Sequence, residues 1–439
     1  MHRHRGKQKR NRGIAIALTS SVALLAGIWI PNPQAKSPPS VCPSPEAAPR
    51  DSGAEDSRVA ADPSCGDRPS ASSQRSEFLP LVQHSNTLLQ QVQTAERKIS
   101  KQLNGKPYWE EALTLASEAV ALAKTDDPAI DRLQEIKSLW SEAIASLRQV
   151  PPDSDYGDRA AAKIREYQTY YNAIAYALEV AQSDFLIPIA QNSGLSSRVK
   201  ITICHVTSRI CRRLRGNEPA RDAASLMKVP IAVALMHKLT TEKMRLDAPI
   251  YVDPGNYTED ASPIRVGRNY PMEELLKEAI AHSSNIAPNQ IIDYLGWDYI
   301  NQVLQKRGFE ITRVYSKFVG NRTYPQNVAI GSNQTTSDEL TEMMLQIYNR
   351  EHLGDEILIR ALEDQYDRAL GFAGIKVGFG NWLGEKTGQT SRVLGTTLAM
   401  NLFGETYVIT VIDDGFYSEP SIRRFITEIS EHIFRSGQL

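Results

Sequence analysis

The chain has 439 residues, 41% of them hydrophobic, which at roughly 150 residues per domain is room for about three units with a sizeable core. Fifty Lys+Arg against 51 Asp+Glu leave a net charge of −1, so no global basic field exists to hold a polyphosphate, and nucleic acid is excluded as the main partner. The four cysteines form no C-x-x-C pair and the eight histidines no H-E-x-x-H, so neither a metal site nor any cofactor is expected.

Residues 1–12 carry Arg3, Arg5, Lys7, Lys9, Arg10 and Arg12 with no acid, and the run Ile14–Ile30 that follows is apolar or small throughout. A basic flank ahead of an apolar stretch is the export pattern. The run is short for a spanning helix and long for a signal core. An uncleaved anchor in the inner membrane is the reading preferred over a cleaved signal, because Pro33-Gln34-Ala35 is a poor cleavage match. Either way the remainder is expected outside the cytoplasm, in the periplasm or cell envelope. Residues 31–76 are rich in Pro, Ser, Ala and Asp, read as a disordered linker, and contain Cys42 and Cys65.

Residues 77–190 turn to helical periodicity and read as a helical bundle module. Leu81, Leu88, Val92, Ala95 and Ile99 form one stripe. Trp109, Ala112, Leu113, Ala116, Ala119, Val120 and Ala123 form a second, and Ile130, Leu133, Trp140, Ile144 and Leu147 a third. The fourth, from about Asp158 to Ser183, carries Tyr167, Tyr170, Tyr171 and Tyr176, read as core packing. No catalytic constellation lies here, so spacing, oligomerisation or docking of a protein partner are the roles open to this module.

Residues 195–439 read as a third domain. Two strands flank Thr207-Ser208, with Cys204 and Cys211 facing each other across the hairpin within disulfide reach, either bridged or as two thiols. Helical segments are expected at 226–239, 272–295, 337–350 and 353–366, then three strands and a last helix from Ser421 to about Arg435. Two early strands and three late ones imply an α/β sandwich whose antiparallel sheet is built from both chain ends, with the helices forming a subdomain. The alternating Arg209, Arg212, Arg213 and Arg215 read as a solvated face. Gly378, Gly380 and Gly384 are misspaced for a phosphate loop and read as turn and bulge residues.

The chemistry concentrates in three short motifs. Ser225-Leu226-Met227-Lys228 opens a long apolar helix, a spacing that puts the amine one turn from the hydroxyl on the same face. A serine there faces the positive end of the helix dipole, and a desolvated lysine can take its proton. Ser197-x-x-Lys200 has the same spacing but leads into a strand, where the two side chains do not stack. Ser283-Ser284-Asn285 lies between two helices, and Lys386-Thr387-Gly388 stands on a late strand.

In this order the three motifs match the Ser-x-x-Lys, Ser-Asp-Asn, Lys-Thr-Gly set of penicillin-recognising serine enzymes. Over about residues 195–439 the chain resembles the class A β-lactamase family and related penicillin-binding proteins. Asn289 falls where the family has the second Asn of its S-D-N-x-x-x-N helix, and Ile291–Gly296 also fits. The resemblance implies a β-lactamase-like fold with Ser225 as acylated nucleophile, Lys228 as its base or relay, and Ser283 passing the proton to the leaving nitrogen. It implies that Asn285 holds a side-chain amide of the substrate, and that Lys386 and Thr387 of the Lys386-Thr387-Gly388 motif bind its carboxylate. The backbone N–H groups of Ser225 and Gln389 would form the oxyanion hole.

Two departures stand out. Ser284 replaces the motif's Asp, removing a carboxylate that props the loop. The stretch Ile311–Ser337, where class A enzymes carry the glutamate that activates the deacylating water, contains no Asp or Glu. Losing a positioned general base costs typically about 10²–10⁴ in rate. The expectation is therefore an exported serine hydrolase acting on a β-lactam or related amide or ester from peptidoglycan, with slow deacylation. A D-Ala-D-Ala peptidase or esterase, or a non-turnover protein that binds penicillin or wall peptide, is the alternative, and a scaffold built on the helical module a third.

Overall fold

The structure, a computed structural model, describes residues 87–101, 104–124, 129–260, 262–376, 378–437 and 439. The apolar run 14–30, the linker with Cys42 and Cys65, and Leu81 lie outside the described residues, and no described helix is by itself long and apolar enough to cross a membrane.

Three helices follow the expected stripes: α1 (Lys106–Leu122), α2 (Ile130–Arg148) and α3 (Gly157–Ala181). They bury Trp109, Ala112 and Ala116 of α1 against Ile136, Trp140 and Ile144 of α2, with the Tyr167 ring of α3 tilted at 60° to Trp140, centroids 4.9 Å apart. Leu113 and Val120 of the second stripe stay exposed instead, as does Ile130 of the third. The helix at 87–101 differs more. Leu88, Val92 and Ile99 are about half exposed, because α1–α3 already close their core among themselves. Of the tyrosine stripe, Tyr170 packs on Trp140 at 5.0 Å, but Tyr176 leaves the bundle and donates to Asp338 at 2.9 Å.

A short helix, α4 (Leu186–Asn192), leads into a five-stranded antiparallel sheet. Its strands are β1 (Lys200–His205), β2 (Cys211–Leu214), β5 (Gly380–Gln389), β6 (Leu394–Leu402) and β7 (Glu405–Asp413), in the order β2-β1-β7-β6-β5. Both chain ends thus build it. β6 and β7 are buried nearly throughout because helices cover both faces of the sheet. The minor strands β3 (Pro249–Tyr251) and β4 (Asn269–Pro271) pair apart from it.

One face of the sheet packs on α4 and on α11 (Glu419–Ser436), through Leu186, Ile201, Leu398, Ile422, Phe425 and Ile429. The opposite face carries the helical layer: α5 (Lys228–Thr241), α6 (Met272–Ala281), α7 (Ile286–Leu295), α8 (Trp297–Lys306), α9 (Ser337–Tyr348) and α10 (Asp355–Glu363). The segment expected at 272–295 is thus two helices, broken at Ser283, whose φ of 55° is left-handed and ends the first. α9 starts where the Thr336 hydroxyl accepts from Glu339 N at 3.0 Å, an N-cap.

Cys204 and Cys211 pair directly across the β1–β2 hairpin and form a disulfide. Of the arginines on the same hairpin, Arg209 is exposed as expected and pairs with Glu342 at 2.8 Å, but the others do not form a solvated face. Arg212 is buried, and Arg213 donates to Glu179 of α3 at 2.8 Å and pairs with Asp338 of α9 at 2.6 Å. Its guanidinium also stacks over Tyr176, 4.8 Å from the ring centroid, so this arginine ties the helical bundle to the sheet. Lys200 of the second Ser-x-x-Lys match is bonded to Asp414 at 3.0 Å at the start of β1. Gly384 sits at a register shift of β5, and its φ of 144° and its closeness to Tyr348 Oη leave no room for a side chain.

Candidate active site

Ser225 lies in a one-turn 3-10 helix, Ala224–Met227, that runs directly into α5. The preceding Ala224 is held at φ 48°, an uncommon conformation for alanine. β5 passes close behind this turn. A Cβ on Gly388 would meet Ala223 O and Leu226 N at 2.9 Å, so only glycine lets the strand approach. That approach brings Gln389, the next residue of β5, to the edge of the Ser225 turn.

Lys228 is fully buried on the first turn of α5. Its Nζ lies 2.5 Å from the Ser283 carbonyl, 2.9 Å from Asn285 Oδ1 and 3.1 Å from Ser283 Oγ. Burial pushes its pKa well below the ordinary lysine value, and the nearby charge of Lys386 pushes the same way while Asp260 opposes. The carbonyl and the amide oxygen can only accept, so Nζ donates to both, and it donates to the Ser283 hydroxyl as well. Lys386 completes the chain from β5. It is also fully buried, donates to Ser283 Oγ at 3.0 Å and to Thr387 O at 2.8 Å, and burial pushes its pKa down to about 7. Ser283 Oγ thus lies between the two lysine amines and accepts from both.

Lys228 of α5, Ser283 and Asn285 of the α6–α7 turn and Lys386 of β5 thus form one hydrogen-bonded cluster, with Thr387 next to Lys386 and Ser225 on the turn that leads into α5. Several other residues at the site carry no motif. Asp260, from the β3–β4 connection, accepts from the Ser284 hydroxyl, from Asn285 N at 3.0 Å and from Ile286 N at 2.9 Å. The carboxylate missing from the second motif is supplied from 24 residues upstream. Glu259 beside it accepts from Arg322 N at 3.0 Å and Thr323 N at 3.1 Å, pinning the loop between Ile311 and Ser337. Lys317 anchors the same loop to Asp293 at 2.7 Å.

Asn289 on α7 is fully buried and grips one residue of that loop on both sides. Its Nδ2 donates to Phe318 O at 2.8 Å and its Oδ1 accepts from Phe318 N at 2.7 Å. The Phe318 ring then lies against Lys228, 4.7 Å from Nζ to the ring centroid. Periodicity carries no trace of this, because it is a single backbone grip between distant segments. Among the described residues no cluster of His, Cys, Asp or Glu is arranged to hold a metal ion.

A family model described as the beta-lactamase enzyme family matches residues 199–436. Among solved structures, PBP-A is similar at 21% identity over 58% of this chain and 97% of its own, with a TM-score of 0.50. A beta-lactamase from Chitinophaga pinensis is similar at 17% identity over 58% and 98%, also at 0.50. One from Sphaerobacter thermophilus shows 21% identity over 57% and 95%, at 0.49. At these identities the likeness is one of fold. No curated protein matches the chain.

Proposed function

The chain belongs to the beta-lactamase enzyme family of serine hydrolases, and from that premise we propose that it is an exported acyl-transfer enzyme that is acylated on Ser225 by a β-lactam and releases the acyl group slowly. In acylation the Ser225 Oγ attacks the lactam carbonyl carbon and its proton passes to the neutral Lys228. The ring C–N bond breaks as the ester C–O bond forms, and the nitrogen takes a proton through Ser283. The buried amine, whose pKa burial lowers, and its contact with Ser283 support this path. Backbone N–H groups of Ser225 and Gln389 would hold the developing oxyanion, a contribution of roughly 3–4 kcal/mol per donor.

The observation that carries slow release is Phe318. Asn289 fixes it over Lys228, so the loop lacking any acid presents an aromatic ring at the lysine. A ring neither activates nor admits a water there. The basic flank and apolar run of residues 1–30 support export, and so does the Cys204–Cys211 bridge, since disulfides persist in oxidising compartments.

The test uses the full chain and a fluorescent penicillin, with Ser225→Ala as control and an unlabelled chase. Label that needs Ser225 and persists for many minutes is the expected result. Label that clears within seconds would replace slow release by efficient β-lactam hydrolysis, and no label would remove the β-lactam reading.

A further inference from the structure

Thr387 stands where a substrate carboxylate would be received, yet its hydroxyl already donates to a carboxylate of the protein. Thr387 Oγ1 lies 3.0 Å from Asp367 Oδ2. A hydroxyl has a single proton, so in this arrangement Thr387 turns only lone pairs outward.

Asp367 is not a loose surface side chain. Its Oδ1 accepts from Ala369 N at 3.1 Å, closing a tight turn, and its own N–H donates to Gln365 Oε1 at 3.1 Å. Gln365 is itself buried and donates to Ile280 O at 3.2 Å and Glu385 O at 3.3 Å, bridging α6 and β5. The neighbouring Arg368 does not neutralise the acid at close range, because its guanidinium stacks over Phe372 and Trp382 at 5.0 Å from each. Burial pulls the pKa of Lys386 to about 7, while the charges of Asp367 and Glu385 oppose that fall.

We propose that Asp367 sets the substrate specificity of this site by occupying the Thr387 hydroxyl, so that the subsite favours a substrate bearing an uncharged or donor group there over one bearing a carboxylate. The proposal rests on the reading of Ser225 as a nucleophile acylated by β-lactams. An anionic substrate must displace the Asp367 contact and meet a like charge, which costs affinity and rate. A neutral ester is also an acceptor and finds the hydroxyl engaged, but it escapes the like charge.

The experiment compares penicillin G with its methyl ester, reading Ser225 acylation of the full chain by intact mass over time. It is run on the wild type, Asp367→Asn and Asp367→Ala. Asp367→Asn removes the charge and keeps an acceptor for Thr387, whereas Asp367→Ala also frees the hydroxyl proton. The ratio of free-acid to methyl-ester rate should rise at least ten-fold in Asp367→Ala and by a smaller factor in Asp367→Asn. A ratio within two-fold of wild type in both variants overturns the role of Asp367 while leaving β-lactam acylation standing. Acylation by neither compound in any variant overturns the β-lactam reading itself, and this proposal with it.

Discussion

The Asp260 carboxylate accepts a hydrogen bond from the Ser284 hydroxyl, and the two together cap α7 at the point where Asn285 enters the site. The first backbone N–H groups of a helix need acceptors, and here a loop acid provides them. Asp260→Ala should lower stability by about 1–3 kcal/mol, the cost of stranding such donors, and slow acylation. Asp260→Asn separates bracing from charge. The Asp260 charge holds the Lys228 pKa up, so its removal lets the neutral amine persist to lower pH. The acid limb of the acylation pH profile should then shift downward, whereas an unmoved profile would leave Asp260 as a brace alone.

Phe318 lies 4.7 Å from Lys228 and is held through its backbone, so its side chain can be exchanged without releasing the loop. Phe318→Glu places a carboxylate beside the lysine in the same position. The labelled state should shorten at least ten-fold, in line with the 10²–10⁴ that a positioned base contributes. Chase experiments on the fluorescent adduct read this directly, and an unchanged lifetime would mean that water is excluded by something other than the ring.

Glu385 points away from the site, fully buried, with Thr396 Oγ1 donating to it at 3.1 Å. Burial pushes its pKa up to about 7, so the folded protein holds a proton that the unfolded chain has released. Between about pH 4.5 and 7 the native state binds more protons, and stability falls as pH rises through that window. Glu385→Gln should flatten this slope in Tm measured from pH 4.5 to 7.5. Equal slopes in the two proteins would contradict a protonated Glu385.

Arg213 joins Glu179, Asp338 and the face of Tyr176, all largely buried. Removing one partner of such a cluster leaves the others uncompensated. Arg213→Ala should cost roughly 2–4 kcal/mol, less than a fully buried pair because the group keeps some contact with water. Thermal unfolding should shift down while folded protein is acylated at the wild-type rate. A matching loss of acylation would mean that the helical bundle acts on the site.

Sequence alone determined whatever depends on neighbours along the chain. Ser225 and Lys228 share a helical turn, Cys204 and Cys211 share a hairpin, and the want of an acid between Ile311 and Ser337 is a plain count. The sheet drawn from both ends follows equally from where the alternating and continuous apolar runs fall. Tertiary structure decided what faces those residues. Asp260 at Ser284, Asp367 at Thr387, Phe318 at Lys228 and Arg213 at the bundle are contacts between distant segments. Periodicity records which face of an element is apolar, but not which loop will bring a lone polar or aromatic side chain against it. The exposed stripe of Leu88, Val92 and Ile99 shows the same limit from the other side, since an apolar face is legible before it is known whether any partner remains to cover it.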